Sequence, residues 1–263
     1  MNQKSQRLAI LAVLLMAAGC SAPTSKVDNV TTNVPRQPDL TLQVASLNLS
    51  AFNKLYNKKE IDKLAGLLKK EQIDILAVQG ITRYPGIERH VDFVNELVSR
   101  SDMRQVFGEM FNTAGRQSGN GIFSTYPLRN NHNEPFDGVK SALFEAALES
   151  AVDGGVKDIV VVSALMPSKA PESDLSKCLK IISDKSLAGT DQPLILTGNL
   201  PSSPIMRQSG RYRDVLDSIG TKNDKILSTK IWYTKDESLS LLGTRALDTD
   251  FGTMLVARFG LFR

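Results

Sequence analysis

Along residues 40–263 the hydrophobic period switches back and forth before it settles. Thr41-Leu-Gln-Val-Ala-Ser-Leu-Asn48 reads as a strand. The stretch Lys59 to Gln72 then places Ile61, Leu64, Ala65, Leu67 and Leu68 on one helical face. Ile73-Asp-Ile-Leu-Ala-Val-Gln79 returns to strand as a short buried apolar run. Ile87 to Ser101 is helical again, with Val91, Phe93, Val94, Leu97 and Val98 apolar. After that the pattern runs mostly to strands: Arg104–Met110, Gly121–Thr125, Ala142–Glu149 and Asp158–Ala164. A helix over Asp174–Leu187, a strand over Pro193–Thr197, a short helix over Arg213–Ile219 and strands over Lys230–Thr234 and Thr253–Phe262 complete the chain. Helices interleaved with two strand-rich halves predict an α/β (α+β) four-layer sandwich, two packed mixed β-sheets with helices outside.

The first 40 residues follow different rules. Lys4 and Arg7 precede an apolar run, Leu8 to Ala18, that is too short for the roughly 20 residues of a membrane-spanning helix. A basic flank, a short apolar core and small residues at a boundary are the pattern of a secretory signal. The boundary Ala17-Ala18-Gly19-Cys20 resembles a bacterial lipobox, in which the cysteine thiol takes a diacylglycerol before cleavage. The expected division is a signal peptide over 1–19, a lipidated Cys20 with a flexible tether over 20–40, and one domain over 41–263. Ser21 after the cysteine, rather than Asp, implies retention at the outer membrane, facing the periplasm. The tether, rich in Ser, Thr, Pro and Asn, spans roughly 25 Å as a random coil.

Charge and cysteine content narrow the partners. The 263 residues carry 32 Lys+Arg against 28 Asp+Glu, and loss of Lys4 and Arg7 with the signal leaves a formal charge of +2. Such a small excess argues against nucleic acid as a partner. With Cys20 lipidated, Cys178 has no disulfide mate and reads as a buried apolar residue of its helix. The Lys58, Lys59, Lys63, Lys69 and Lys70 run reads as the solvated face of the first helix. Asn130, Asn131, His132, Asn133 and Glu134 read as a solvated turn, and His90 as a surface helix residue.

Five segments in order resemble the endonuclease/exonuclease/phosphatase superfamily, whose members include deoxyribonucleases, repair exonucleases, sphingomyelinases and inositol phosphatases. Val44-Ala-Ser-Leu-Asn48 is similar to the opening strand that ends in a metal-site Asn. Asp74-Ile-Leu-Ala-Val-Gln79 is similar to the strand that ends in Gln-Glu. Gly119-Asn-Gly-Ile-Phe-Ser-Thr-Tyr-Pro127, Pro193-Leu-Ile-Leu-Thr-Gly198 and Thr249-Asp-Phe-Gly252 resemble the third, fourth and last motifs. The resemblance spans residues 41–262 and implies a site between the sheets, with Asn48, Gly80, Ala164, Asn199 and Asp250 meeting at one end.

What the resemblance implies for chemistry is loss. The family hydrolyses phosphoesters with a divalent cation, a carboxylate ligand and a His-assisted water. The expected Glu is Gly80, the expected Thr-His pair is Ser163-Ala164, and Gly-Asp-Phe-Asn is Gly198-Asn199-Leu200-Pro201. The late Ile-Asp is Ile231-Trp232, and the terminal His is Phe251. The remnant site is Asn48, Gln79, Asn199 and Asp250, with one carboxylate. Hard cations such as Mg²⁺ rely on oxygen ligands and charge, and a neutral amide supplies little of the latter. The expected reading is therefore a lipid-anchored bacterial envelope protein, catalytically degenerate, without a metal or other cofactor, acting in binding or envelope assembly with a possible envelope protein partner. Two alternatives differ in kind: a weak Mg²⁺-dependent phosphoesterase or nuclease with a rearranged site, and an envelope protein that shares only generic strands with the family. For the anchor, Cys20→Ser should abolish lipid labelling and release the protein from the membrane fraction, as read by intact-mass analysis and fractionation.

Overall fold

The computed structural model describes residues 36–52, 54–87, 90–138, 146–166, 171–185, 192–200, 210–219 and 229–263. Cys20, most of the tether and Pro201 lie outside the described residues. In chain order the elements are β1 (Leu40–Asn48), α1 (Lys58–Lys70), β2 (Ile75–Arg83), α2 (Phe93–Ser101), β3 (Arg104–Thr113), β4 (Arg116–Ser124), β5 (Leu128–Pro135), β6 (Ala146–Asp153) and β7 (Asp158–Leu165). They continue with α3 (Glu172–Lys185), β8 (Leu194–Asn199), β9 (Tyr212–Asp214), a 3₁₀ turn (Val215–Ile219), β10 (Lys230–Thr234), β11 (Leu239–Thr249) and β12 (Gly252–Leu261).

Two six-stranded sheets form, in the orders β11-β12-β1-β2-β4-β3 and β5-β6-β7-β8-β10-β9. Each is mixed: β1 runs parallel to β2 and β7 parallel to β8, while their other neighbours are antiparallel. The strand period of two sorts side chains to opposite faces. Leu42, Val44, Ile75 and Ile122 of the first sheet meet Leu148, Ile159, Val161, Ile195 and Ile231 of the second, and this is the central core. The other face of the first sheet, Ala45, Leu47, Leu76 and Val78, is covered by Ile61, Leu64 and Leu68 of α1 and Phe93, Val94 and Leu97 of α2. The other face of the second, Val160, Val162, Leu194 and Leu196, is covered by Cys178 and Ile182 of α3. The four-layer sandwich expected from the hydrophobic pattern is the architecture observed.

Four local expectations change. The second helix begins at Phe93 rather than Ile87, because Asp92 caps it: its carboxylate accepts the Asn95 amide at 3.0 Å and bonds Arg83 Nε at 2.9 Å. His90 therefore precedes the helix. The Asn-rich stretch is not a turn but β5, an edge strand paired with β6 from Leu128↔Val152 to Pro135↔Ala146. An edge strand exposed on its flanks has no reason to be apolar, so its alternation is invisible. The 11-residue β11, at the edge of the first sheet, escaped for a different reason: Leu239 and Leu241 face the central core and Leu247 the outer layer, because a bulge between Leu241 and Gly243 breaks the alternation. Where a helix over Arg213–Ile219 was expected, β9 pairs with β10 and Asp214 then accepts the Leu216 amide at 3.0 Å, turning the chain into a 3₁₀ turn.

The Asp92–Arg83 pair sits with both side chains less than one-fifth exposed, at 19% and 18%, so its loss counts twice. Asp92→Ala should lower unfolding free energy by about 2–3 kcal/mol, combining a lost cap with a stranded guanidinium. Asp92→Asn, which keeps the cap, should cost about half as much. Urea titration of the two variants measures the difference.

Candidate functional site

The parallel pairs β1–β2 and β7–β8 end near one another, since β2 contacts both β7 and β8 across the core and β1 contacts β8. Polar side chains replace apolar ones there. Ser46, Gln79, Asn120, Ser163 and Thr229 are all fully buried. Buried polar groups must be satisfied internally or they cost several kcal/mol, and these are. Gln79 Nε2 donates to Ser163 Oγ at 3.0 Å, and Ser163 Oγ donates to Val78 O at 3.2 Å. Ser46 Oγ lies 3.4 Å from Gln79 Oε1 and shares a short hydrogen bond with the Thr229 hydroxyl. Asn120 Oδ1 accepts the Gly80 amide at 3.3 Å, while its Nδ2 donates to Ala146 O at 2.9 Å and Ser163 O at 3.1 Å. One amide thereby joins β4, β2, β6 and β7, across both sheets.

Every side chain in that network is neutral. The remnant-site residues stand around it differently. Gln79 is a member. Asn48 ends β1 opposite Gln79, and its Oδ1 accepts the Ser50 amide at 2.9 Å, closing a tight turn. Asn199 ends β8 opposite Leu165, with Nδ2 donating to Met166 O at 3.3 Å. Asp250 turns away to the outer helical layer, on the β11–β12 turn, and pairs with Lys63 of α1 at 2.9 Å. That bond raises the Lys63 pKa above its ordinary value, chiefly through the hydrogen bond to the carboxylate. Among the described residues no cluster of three His, Cys, Asp or Glu is arranged to hold a metal ion.

The positions where catalytic groups were expected have packing roles. Gly80 has φ +69°, and a Cβ there would lie 2.7 Å from Ser50 Cα. The β2–β4 register shifts between Val78 and Ile81, so the backbone itself departs from regular strand where a Glu would project. Gly198 has φ +139°, and a Cβ would meet Ala164 O at 1.8 Å. Ala164 and Trp232 belong to the layer beneath α3, and Ile231 to the central core. Phe251 is buried against Phe52 at 5.2 Å and Phe93 at 5.5 Å between ring centroids, with Tyr56 alongside. A histidine in that cluster would bury an imidazole among aromatic faces.

The polar stretches singled out in the sequence are accounted for individually. Lys58, Lys63, Lys69 and Lys70 pair with Glu96, Asp250, Asp102 and Glu71, so the lysine run is largely neutralised within the fold. His132 bonds Glu134 at 2.6 Å on the exposed edge strand. Sequence reasoning passed over Ser46, Asn120 and Thr229 as network members. The first two were visible as polar residues inside otherwise apolar strands, Val44–Asn48 and Gly119–Phe123. Thr229 carried no such signal.

No protein-family model matches the sequence, and no curated protein matches it. Solved structures do match in shape. An endonuclease/exonuclease/phosphatase from Beutenbergia cavernae aligns with TM-score 0.65 and 16% identity over 86% of this chain and 72% of its own. An endonuclease/exonuclease/phosphatase family protein from Leptotrichia buccalis aligns with TM-score 0.64 and 13% identity over 84% and 100%. The human Nocturnin catalytic domain aligns with TM-score 0.64 and 16% identity over 86% and 94%. At these identities the likeness concerns the fold, and the chain has the endonuclease/exonuclease/phosphatase fold.

Substitutions toward the family's catalytic residues should therefore damage this protein. Gly80→Glu and Phe251→His should each destabilise by about 3 kcal/mol or more, through backbone collision and burial of an imidazole respectively. Asn120→Asp, which turns a carboxylate toward two carbonyl oxygens, should cost a similar amount, about 3 kcal/mol. Thermal or urea unfolding of the three variants gives the test.

Proposed function

We propose that this chain is a degenerate member of the endonuclease/exonuclease/phosphatase superfamily, anchored through lipid on Cys20 to the bacterial envelope and acting there in binding or assembly. The observation that carries the reading is the neutral, closed network of Gln79, Asn120, Ser163, Ser46 and Thr229, lying where β1, β2, β7 and β8 end. Phosphoryl transfer needs positive charge or strong donors around a spread negative charge, and a base to prepare the water. Hydroxyls and amides already spent on one another offer neither. Asp250, the one carboxylate of the remnant site, is engaged with Lys63.

The anchoring half of the proposal rests on Ala17-Ala18-Gly19-Cys20-Ser21. Ser21 favours the outer membrane, with the domain facing the periplasm, and the tether gives it reach toward an envelope protein partner. The mature charge of +2 argues against nucleic acid, and the proposed function uses no Mg²⁺ or other cofactor.

The purified full chain, supplied with Mg²⁺, Mn²⁺ or Ca²⁺, should show no turnover above background on DNA, an aryl phosphodiester or sphingomyelin. General-base and electrostatic terms are each worth factors of about 10² or more, so losing both brings hydrolysis near the uncatalysed rate. Calorimetric titration with the same cations should give no saturable heat. Turnover that vanishes in Asp250→Ala would overturn the proposal.

A further inference from the structure

A concavity of about 330 Å³ shares no lining residue with the polar network. Its walls come from the loop after β1, the end of β2, the segment before α2 and the start of β4. Tyr56, in its floor, belongs to the aromatic cluster of the outer layer rather than to the central core. The volume is at the lower end of pockets that hold small molecules.

Its lining is built from rings and cations. Phe52 and Tyr56 stack with centroids 5.4 Å apart and planes 4° from parallel. Tyr84 faces His90 at 4.5 Å. Lys54 and Arg116 stand at the rim, both exposed. Among the described residues that line it, none carries a carboxylate. Asp92, the nearby acid, is held by Arg83 and by the cap of α2.

Most of the cations on this side of the fold are paired. Lys58, Lys63, Lys69, Arg83 and Arg100 each have a carboxylate partner. Lys54 and Arg116 have none among the described residues, and Arg116 instead lies over the Phe111 ring at 5.8 Å. Two polar groups also have hydrogen-bonding capacity to spare. His90 Nδ1 is buried without a hydrogen-bond partner. Tyr56 Oη accepts the Thr82 amide at 3.1 Å, and burial pushes its phenol up to about 12, so it keeps its proton at any physiological pH. A buried polar atom left unpaired is costly unless something else pairs with it.

We propose that this pocket binds a small anion carrying a flat ring, the anion held by Lys54 and Arg116 and the ring set against Tyr84, Tyr56 and Phe52. Arg116 suits a carboxylate or phosphate because its planar fork offers two parallel donors. The aromatic walls favour a ring over a bare ion through offset or edge contacts. The Tyr56 hydroxyl supplies a further donor, and His90 Nδ1 a further hydrogen-bonding atom. The inference does not rest on loss of catalysis at the polar network, and its test is separate.

The test is calorimetric titration of the full chain in detergent with phenyl phosphate and benzoate, beside inorganic phosphate, acetate and phenol. At least one ring-bearing anion should bind at a single saturable site, about tenfold tighter than its ringless counterpart and tenfold tighter than phenol. Lys54→Gln combined with Arg116→Gln should weaken that binding about tenfold or more. Tyr84→Ala should remove the advantage of the ring while leaving the ringless anions as they were. Both rim residues are exposed, so the double variant should keep the parental unfolding temperature; if it does not, Lys54→Gln alone decides, with a loss of about threefold expected. The proposal is overturned if neither ring-bearing anion saturates, if the ringless anion or phenol binds equally well, or if the folded rim variant binds like the parent.

Discussion

Asn120 is the side chain on which the joining of the two sheets most depends. Its amide is fully buried and reaches the Gly80 nitrogen on one sheet and the Ala146 and Ser163 oxygens on the other. Two packed sheets are otherwise held by apolar contact, which is indifferent to sliding. Directional hydrogen bonds at one point remove that freedom. Gln79 and Ser163 add a second link, between β2 and β7, and Ser46 of β1 with Thr229, just before β10, a third. Each bond contributes only about 1 kcal/mol net, but breaking one partner strands the rest without water, so the group stands or falls together.

The same constraint shapes the surrounding backbone. Gly80 can take φ +69° against Ser50 only without a side chain, and that approach carries the β1 turn closed by Asn48. Gly198 lies against Ala164 O in the same way. On the far side, Phe251 seals the β11–β12 turn onto Phe52, Tyr56 and Phe93. These two regions are filled by neutral hydrogen bonds and by aromatic packing respectively. The pocket near Tyr84 and His90 lies on that aromatic side, and its two cations, Lys54 and Arg116, have no carboxylate partner among the described residues.

Much of the architecture was legible because burial leaves a periodic mark. β1, β2, β7, β8 and β12 are apolar enough to declare themselves, and α1 and α2 each carry a clear buried face. β5 was not legible, since an edge strand with polar flanks has no apolar alternation to detect, and β11 was not because its bulge breaks the alternation that Leu239 and Leu241 begin. The start of α2 was misplaced because Val91 continues the helical pattern through a capping Asp92. In the site, the absence of Glu at position 80 and His at positions 164 and 251 was plain in the sequence. The hydrogen bonds that fill this region were not, because Ser46, Asn120 and Thr229 lie far apart in the chain and any one of them reads as an isolated polar residue.

The sequence by itself determined the layered α/β plan, the succession of the central strands and helices along the chain, and which residue types stand at the expected site positions. These follow from local period and residue identity, which need no knowledge of distant partners. Only the tertiary structure decided that Asp250 faces Lys63 and not the ends of β1 and β2, that Asn120 bridges the sheets, and that Lys54 and Arg116 share a rim with Tyr84 and His90. Hydrogen bonds and ion pairs act over a few ångströms in a fixed direction. Which groups come that close is set by how the sheets stack, and no spacing along the chain records it.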